Sequence, residues 1–185
     1  MDRVSSNPDG PRGLRVLGID PGLRLTGYAV ADLRWGQIEP SLCEAGVLRL
    51  KAKAPLEVRL AQLHHDLSAL FEEHAPQRMA VEQLYAHYAH PRTAILMGHA
   101  RGVILQVAAA AGVEVQSLAA TEVKKSFTGH GHATKRQIQL AVQGQLRLAE
   151  PPEPPDVADA IAIAFTHARR LAGERLTRRA GLAGD

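Results

Sequence analysis

The stretch LRVLGIDPGLRLTGYAVADLR, Leu14 to Arg34, decides the fold. Its first part, LRVLGID, is a short apolar run that ends on Asp20 and a Pro-Gly pair. That pattern predicts a buried strand closed by a turn. TGYAVADLR, Thr26 to Arg34, alternates small and large apolar residues and reads as a second strand. A third lies around Glu44 to Leu50. Three strands on short turns, before any helix, predict an antiparallel meander.

Downstream, the period changes. Leu56, Leu60, Leu63, Leu67, Leu70 and Phe71 recur every three or four positions, so Pro55 to His74 predicts an amphipathic helix with Pro55 at its first position. RMAVE, Arg78 to Glu82, is a fourth short strand. Pro91 to Ala111 is a long Ala- and Gly-rich helix stopped by Gly112, and VEVQSL, Val113 to Leu118, is the fifth strand. Alternation of strand, helix and strand implies parallel pairing here. Ala133 to Leu148 predicts a helix, EPPEPP (Glu150 to Pro155) a stiff linker, and Asp156 to Leu171 the last helix. The fold class is therefore α/β: a five-stranded mixed sheet, three antiparallel strands then two parallel, flanked by helices.

The 185 residues suffice for one cored domain, expected over residues 14–171. Met1 to Gly13 reads as a disordered N-terminal tail, and residues 172–185 as a basic C-terminal tail. Apolar residues make up 45% and charged residues 22%, the balance of a soluble globular chain. A net charge of +3 permits a polyanionic partner but is far from the excess of a ribosomal or nucleosomal binder. The single cysteine, Cys43, excludes an internal disulfide and reads as a buried thiol in a reducing, cytoplasmic setting. No signal peptide is apparent, and no run approaches the ~18 apolar residues of a membrane span.

Four carboxylates stand out. Asp20 and Glu82 each end an apolar strand, where mixed sheets place ligands, although a strand-ending acid is also commonly just solvated. Asp159 lies in VADAIAIAF, a helix apolar nearly all round that contains no lysine or arginine. A charge there costs several kcal/mol unless paired or bound to a metal. Asp156 is three residues earlier on the same face, and is equally a good N-cap after the prolines. Oxygen-only ligands suit a hard ion such as Mg²⁺ or Mn²⁺. Two such ions ~3.5–4 Å apart can hydrolyse a phosphodiester. His87 and His90 have zinc-like spacing but lack a partner set of ligands.

The chain resembles the RuvC family of Holliday-junction resolvases. The resemblance rests on GIDPGLRLTGYAV (Gly18 to Val30), AVEQLY (Ala80 to Tyr85), ARGV (Ala100 to Val103), VKKSFTGHGHATK (Val123 to Lys135) and DVADAIAIAFTHA (Asp156 to Ala168), in the family's order. It implies a ribonuclease-H-like fold. It further implies an Mg²⁺-dependent endonuclease, with Mn²⁺ substituting, that cuts four-way DNA junctions in pairs and leaves 5′-phosphate and 3′-hydroxyl ends. Asp20, Glu82, Asp156 and Asp159 would hold two ions per site. Some family members carry histidine where this chain has Asp156, so here the third ligand should be an oxygen. Tyr85 would stack on bases near the junction centre, which is worth ~1–3 kcal/mol. His87, Tyr88, His90 and Arg92 continue that segment. The glycine-rich segment with His130 and His132, flanked by Lys124, Lys125, Lys135 and Arg136, would touch phosphates. A two-fold junction implies a homodimer, with the Pro91 to Ala111 helix as candidate interface. A branch-migration helicase partner follows from the resemblance alone.

Three other readings stay open on the sequence. An actin- or sugar-kinase-type phosphotransferase has a similar opening loop but needs two such domains. A YqgF-type RNA nuclease shares the opening motif but lacks the later blocks. A non-catalytic junction binder would not need all four acids.

Overall fold

Gly13 to Asp20 forms β1, and its apolar residues place it at the centre of the sheet. The computed structural model describes residues 13–84, 91–179 and 181. The strands β1 (Gly13–Asp20), β2 (Leu25–Arg34), β3 (Ser41–Arg49), β4 (Arg78–Glu82) and β5 (Glu114–Leu118) make one five-stranded sheet in the order β3-β2-β1-β4-β5. β1, β2 and β3 pair antiparallel, while β4 pairs parallel with both β1 and β5. The expected mixed sheet is what forms.

Side chains alternate across a strand, so residue parity assigns each one to a face. Leu17 and Ile19 of β1 and Met79 and Val81 of β4 pack into one core with Leu63, Leu67 and Phe71 of α1 (Leu56–His74) and Ala100, Ile104 and Val107 of α2 (Pro91–Ala110). The even positions of β1 and β4, and the odd positions of β2 that pair with them, turn the other way. Ala29 and Ala31 of β2 and Ala80 of β4 join the opposite core with α3 (Ala120–Thr128), α4 (Lys135–Leu146) and α5 (Pro155–Arg179). Asp20 and Glu82 share this even parity, one step beyond the Ile19↔Val81 rung, so both face α5.

The closest layering is α5 on the sheet. A Cβ at Gly18 would come within 2.5 Å of the Ala160 carbonyl oxygen and Ala164 nitrogen, and one at Gly27 within 2.1 Å of the Asp156 carbonyl oxygen. Two glycines and a run of alanines therefore let the helix sit directly on β1 and β2. Ala158, Ala160, Ile161, Ile163 and Phe165 are buried in consequence.

Several expectations need correction. A helix that the sequence reading did not predict, Ala120–Thr128, precedes the glycine-rich segment, and Gly129, with φ +74, ends it. The next helix starts at Lys135, where Thr134 and Gln137 form a reciprocal capping box. Pro55 is the N-cap of α1 rather than its first residue, and Pro155 opens α5 instead of ending a linker. That helix runs on to Arg179. Ala172 is buried and Arg175 lies 3.8 Å over the Trp35 ring, so the start of the supposed tail is packed structure. Cys43 is exposed, because β3 is an edge strand. Arg92–Ala110 has the length and composition of a membrane span, with a mean hydropathy of 1.3 and only 22% of it buried, contrary to the reading that no segment does. The N-terminal tail expectation falls outside the described residues except at Gly13, which belongs to β1.

Candidate active site

Asp20 ends β1, Glu82 ends β4, and Asp156 and Asp159 sit in the first turns of α5. Strand parity turns the first two toward α5, and helical spacing of three puts the second two on one face. The close seat of α5 on Gly27 then closes the group. Asp156 is within the first turn and not at the cap, so it is free to serve the site.

The electrostatics record their proximity. Burial first, then the charges of Asp159 and Glu82, hold the Asp20 carboxyl well above the usual carboxylate range, with Asp156 adding and Lys135 opposing. Glu82 is pushed up by burial and by Asp159, against Lys124 and Lys135. Burial also raises Asp159; the charge and hydrogen bond of Lys135 work against it. Like charges crowded in a desolvated place favour either protonation or a cation.

One cation is already supplied by the chain. Lys135 Nζ lies 3.2 Å from Asp159 Oδ2 and 3.9 Å from Asp156 Oδ1. Burial disfavours the ammonium, but Asp159, Asp20 and Asp156 outweigh that and raise its pKa. VADAIAIAF itself supplies no cation, as its sequence says, and Lys135 at the start of α4 supplies one from outside. The acids are coupled without forming one tight shell. Among the described residues, three metal-capable atoms within 4.8 Å of one another occur at Glu44, Glu73 and His74, on the other face of the sheet.

Of the expected nucleic-acid residues, Lys124 and Lys135 are close enough to influence the acids. Lys124 is half-buried on α3 and Lys125 is exposed beside it. Arg136 is exposed on α4 and Arg92 on α2. Exposed His130 and His132 stack edge-on, 5.8 Å between centroids. Tyr85, His87, Tyr88 and His90 lie outside the described residues. A groove of about 550 Å³ opens beside Asp156, lined by Leu23, Arg24, Leu25, Thr93, Leu96 and Met97.

Two supporting residues escaped the sequence reading. Buried Thr26 donates its hydroxyl to the Gly22 carbonyl at 2.6 Å and so fixes the turn after Asp20. Arg101 reaches the Glu82 carbonyl from α2 at 3.5 Å and also bonds Ser117 on β5, tying together the two strand ends. A threonine four residues past a Pro-Gly pair was the available signal for the first. The second had none beyond its place in ARGV.

Residues 16–167 match the family described as crossover junction endodeoxyribonuclease RuvC. A crossover junction endodeoxyribonuclease of Rhodopirellula baltica is 56% identical over 152 residues, covering 81% of this chain and 83% of the relative. One from Gloeobacter violaceus is 42% identical over 154 residues, 83% of this chain and 87% of the relative. Among solved structures, T. thermophilus RuvC in complex with a Holliday junction substrate superposes with a TM-score of 0.79 at 34% identity, covering 87% of this chain and 96% of that one.

Proposed function

The chain belongs to the crossover junction endodeoxyribonuclease RuvC family, and from that premise we propose that Asp20, Glu82, Asp156 and Asp159 are its catalytic, metal-binding acids. It is a Holliday-junction resolvase, a nuclease acting in recombination and repair. The observation that carries the assignment of the acids is their convergence from β1, β4 and the start of α5 at one place, where Lys135 pairs with Asp159 and Asp156 and the charges of Asp159 and Glu82 are felt at Asp20. An all-oxygen donor set that raises its own pKa values fits a hard divalent ion, which would recover the cost of crowding. Two Mg²⁺ ions bound there, or Mn²⁺ in their place, would activate a water and stabilise the leaving oxygen of the phosphodiester. Hydrolysis of that kind leaves the ligatable 5′-phosphate and 3′-hydroxyl.

The protein's own groups do the rest. Asp20, which feels the charges of the other three acids, would be the central carboxylate of a metal site there. Lys135 and Lys124 hold positive charge at the rim, where a phosphate would approach. Lys125, Arg136 and Arg92 are exposed and would contact the backbone at a greater distance from the cut. Tyr85, three positions after Glu82, is the candidate for stacking on a base.

We further propose a homodimer built on α2. Its apolar composition is poorly covered within one chain, and Ile95 is 62% exposed. A large uncovered apolar face on a chain of this kind marks a protein contact. Two copies related by a two-fold axis would present two sites to a junction of the same symmetry. Sedimentation should then give twice the chain mass. Cytoplasmic action and docking to a branch-migration helicase belong to the same proposal.

The decisive experiment compares four-way junction, duplex and single strand, with and without Mg²⁺. Wild type should nick the junction in symmetric pairs only with metal. Asp20→Asn should bind the junction and leave it uncut. Cleavage by Asp20→Asn at the wild-type rate would remove these acids from the mechanism.

A further inference from the structure

We propose that Glu44, Glu73 and His74 form a second divalent-cation site, distinct from the four acids and suited to a borderline metal such as Zn²⁺. One ligand atom from each lies within 4.8 Å of the others. They come from two elements: Glu44 from edge strand β3, Glu73 and His74 from the C-terminal end of α1. Glu44 and Tyr28 face the α1 side of the sheet, away from α5.

The second observation is His74 itself. The residue is 7% exposed, yet its Nε2 makes no hydrogen bond. Glu44 Oε2 lies 3.5 Å from it, a distance that makes an ion pair when the imidazole is charged but no hydrogen bond. A buried imidazole nitrogen left without a hydrogen bond is unfavourable unless something binds it. Two ligands of a tetrahedral zinc, bonded at about 2.0–2.2 Å, sit about 3.3–3.5 Å apart. The His74–Glu44 separation is already of that size. Glu73 is exposed and free to swing the remaining distance.

The surroundings hold the first two ligands still. The Tyr28 hydroxyl donates to Glu44 Oε1 at 2.7 Å, leaving Oε2 for the cation. Ligating carboxylates are characteristically supported in this way. Gly46, the cross-strand partner of Tyr28, makes the reach possible, because a Cβ there would come 2.9 Å from the phenol oxygen. On the helix side, Ala75 caps α1 in the left-handed conformation, and Arg15 donates to the His74 carbonyl at 3.1 Å. One imidazole and two carboxylates select Zn²⁺ or a similar ion over Mg²⁺. Such an ion would clip the end of α1 to the edge strand.

The test titrates Zn²⁺ into the full-length protein in large excess of Mg²⁺, added to compete for the catalytic acids. The expected result is one tightly held equivalent and a Tm raised by roughly 5–10 °C at a hundredfold excess over Kd. Glu73→Gln, a change at an exposed position, should fold normally and cut junctions as wild type does, yet bind Zn²⁺ at least about tenfold more weakly. The His74 imidazole should shift in NMR spectra with Zn²⁺, at a lower Zn²⁺ concentration in wild type than in Glu73→Gln. Equal Zn²⁺ affinity in Glu73→Gln, or no His74 response in wild type, would overturn the site and leave His74 as a simple ion-pair partner of Glu44. Neither result bears on the catalytic acids.

Discussion

Gly27→Ala tests how tightly the active site depends on the seat of α5. The new Cβ would stand 2.1 Å from the Asp156 carbonyl oxygen and 2.8 Å from its carbon. Both are backbone atoms, so no side chain can rotate out of the way. The helix start must retreat by about 1.3 Å, the gap between 2.1 Å and the 3.4 Å at which ordinary contact begins. Asp156 moves directly, Asp159 moves with its helix, and Asp20 stays, because it lies on β1 opposite Gly27 in the register. Overpacking of this kind costs about 1–3 kcal/mol, or roughly 3–10 °C in Tm for a domain of this size. Misplacing reacting groups by about 1 Å costs on the order of a hundredfold in rate. Cleavage should therefore fall by about two orders of magnitude while junction binding, proposed to rest on the surface lysines, is retained. Single-turnover cleavage with Mg²⁺, alongside a thermal melt and a binding titration, reads all three. A Gly27→Ala protein with a lowered Tm and wild-type cleavage would refute the dependence.

Two further outcomes follow from the charges. Lys135→Met removes the group that lowers Asp159 and opposes the elevation of Asp20; both carboxyls should rise, so the acidic limb of the pH–rate profile should move to higher pH, and an unmoved limb would separate Lys135 from the acids. His167 is buried on α5, and burial, then Arg170, pushes its imidazole down to about 4. Its folded value lies below its ordinary 6.5, so the unfolded chain takes up the proton first and stability is lost as pH falls from about 6.5 to 4. The loss should approach about 3 kcal/mol, seen as a lower urea midpoint at pH ~4.5 than at 7, and it should shrink in His167→Gln; an identical drop in both proteins would exclude His167 as the source.

Much of this was readable in the chain because the governing interactions are local. LRVLGID ended by Pro21-Gly22 specifies a central strand with an acid at its tip, and RMAVE does the same for Glu82. VADAIAIAF flagged Asp159 because a charge in an apolar helix needs a partner. The partner itself was not readable, since Lys135 reaches Asp159 from a different helix. α3 was missed because nine residues with only two large apolar side chains, followed by Gly129 and Gly131, look like a loop until Val123 and Phe127 find a core. Cys43 was misjudged because sequence does not say which strand lies at the edge. Packing past Leu171 was missed because it depends on Arg175 meeting Trp35 across the molecule. Glu44, Glu73 and His74 carry no motif at all. They meet only when the end of α1 is laid against β3.

The shared parity of Asp20 and Glu82 constrains length as well as identity. Adding or removing one residue inside β1 or β4 would carry the terminal acid through the sheet to the α1 side, with every core residue of that strand exchanged for its neighbour. A two-residue change would restore the face but shift the acid by nearly 7 Å along the strand. A one-residue insertion or deletion inside either segment should therefore abolish the site, whereas one in the exposed turns should be tolerated. The spacing of residues within β1 and β4 is as much a part of the site as the carboxylates they carry.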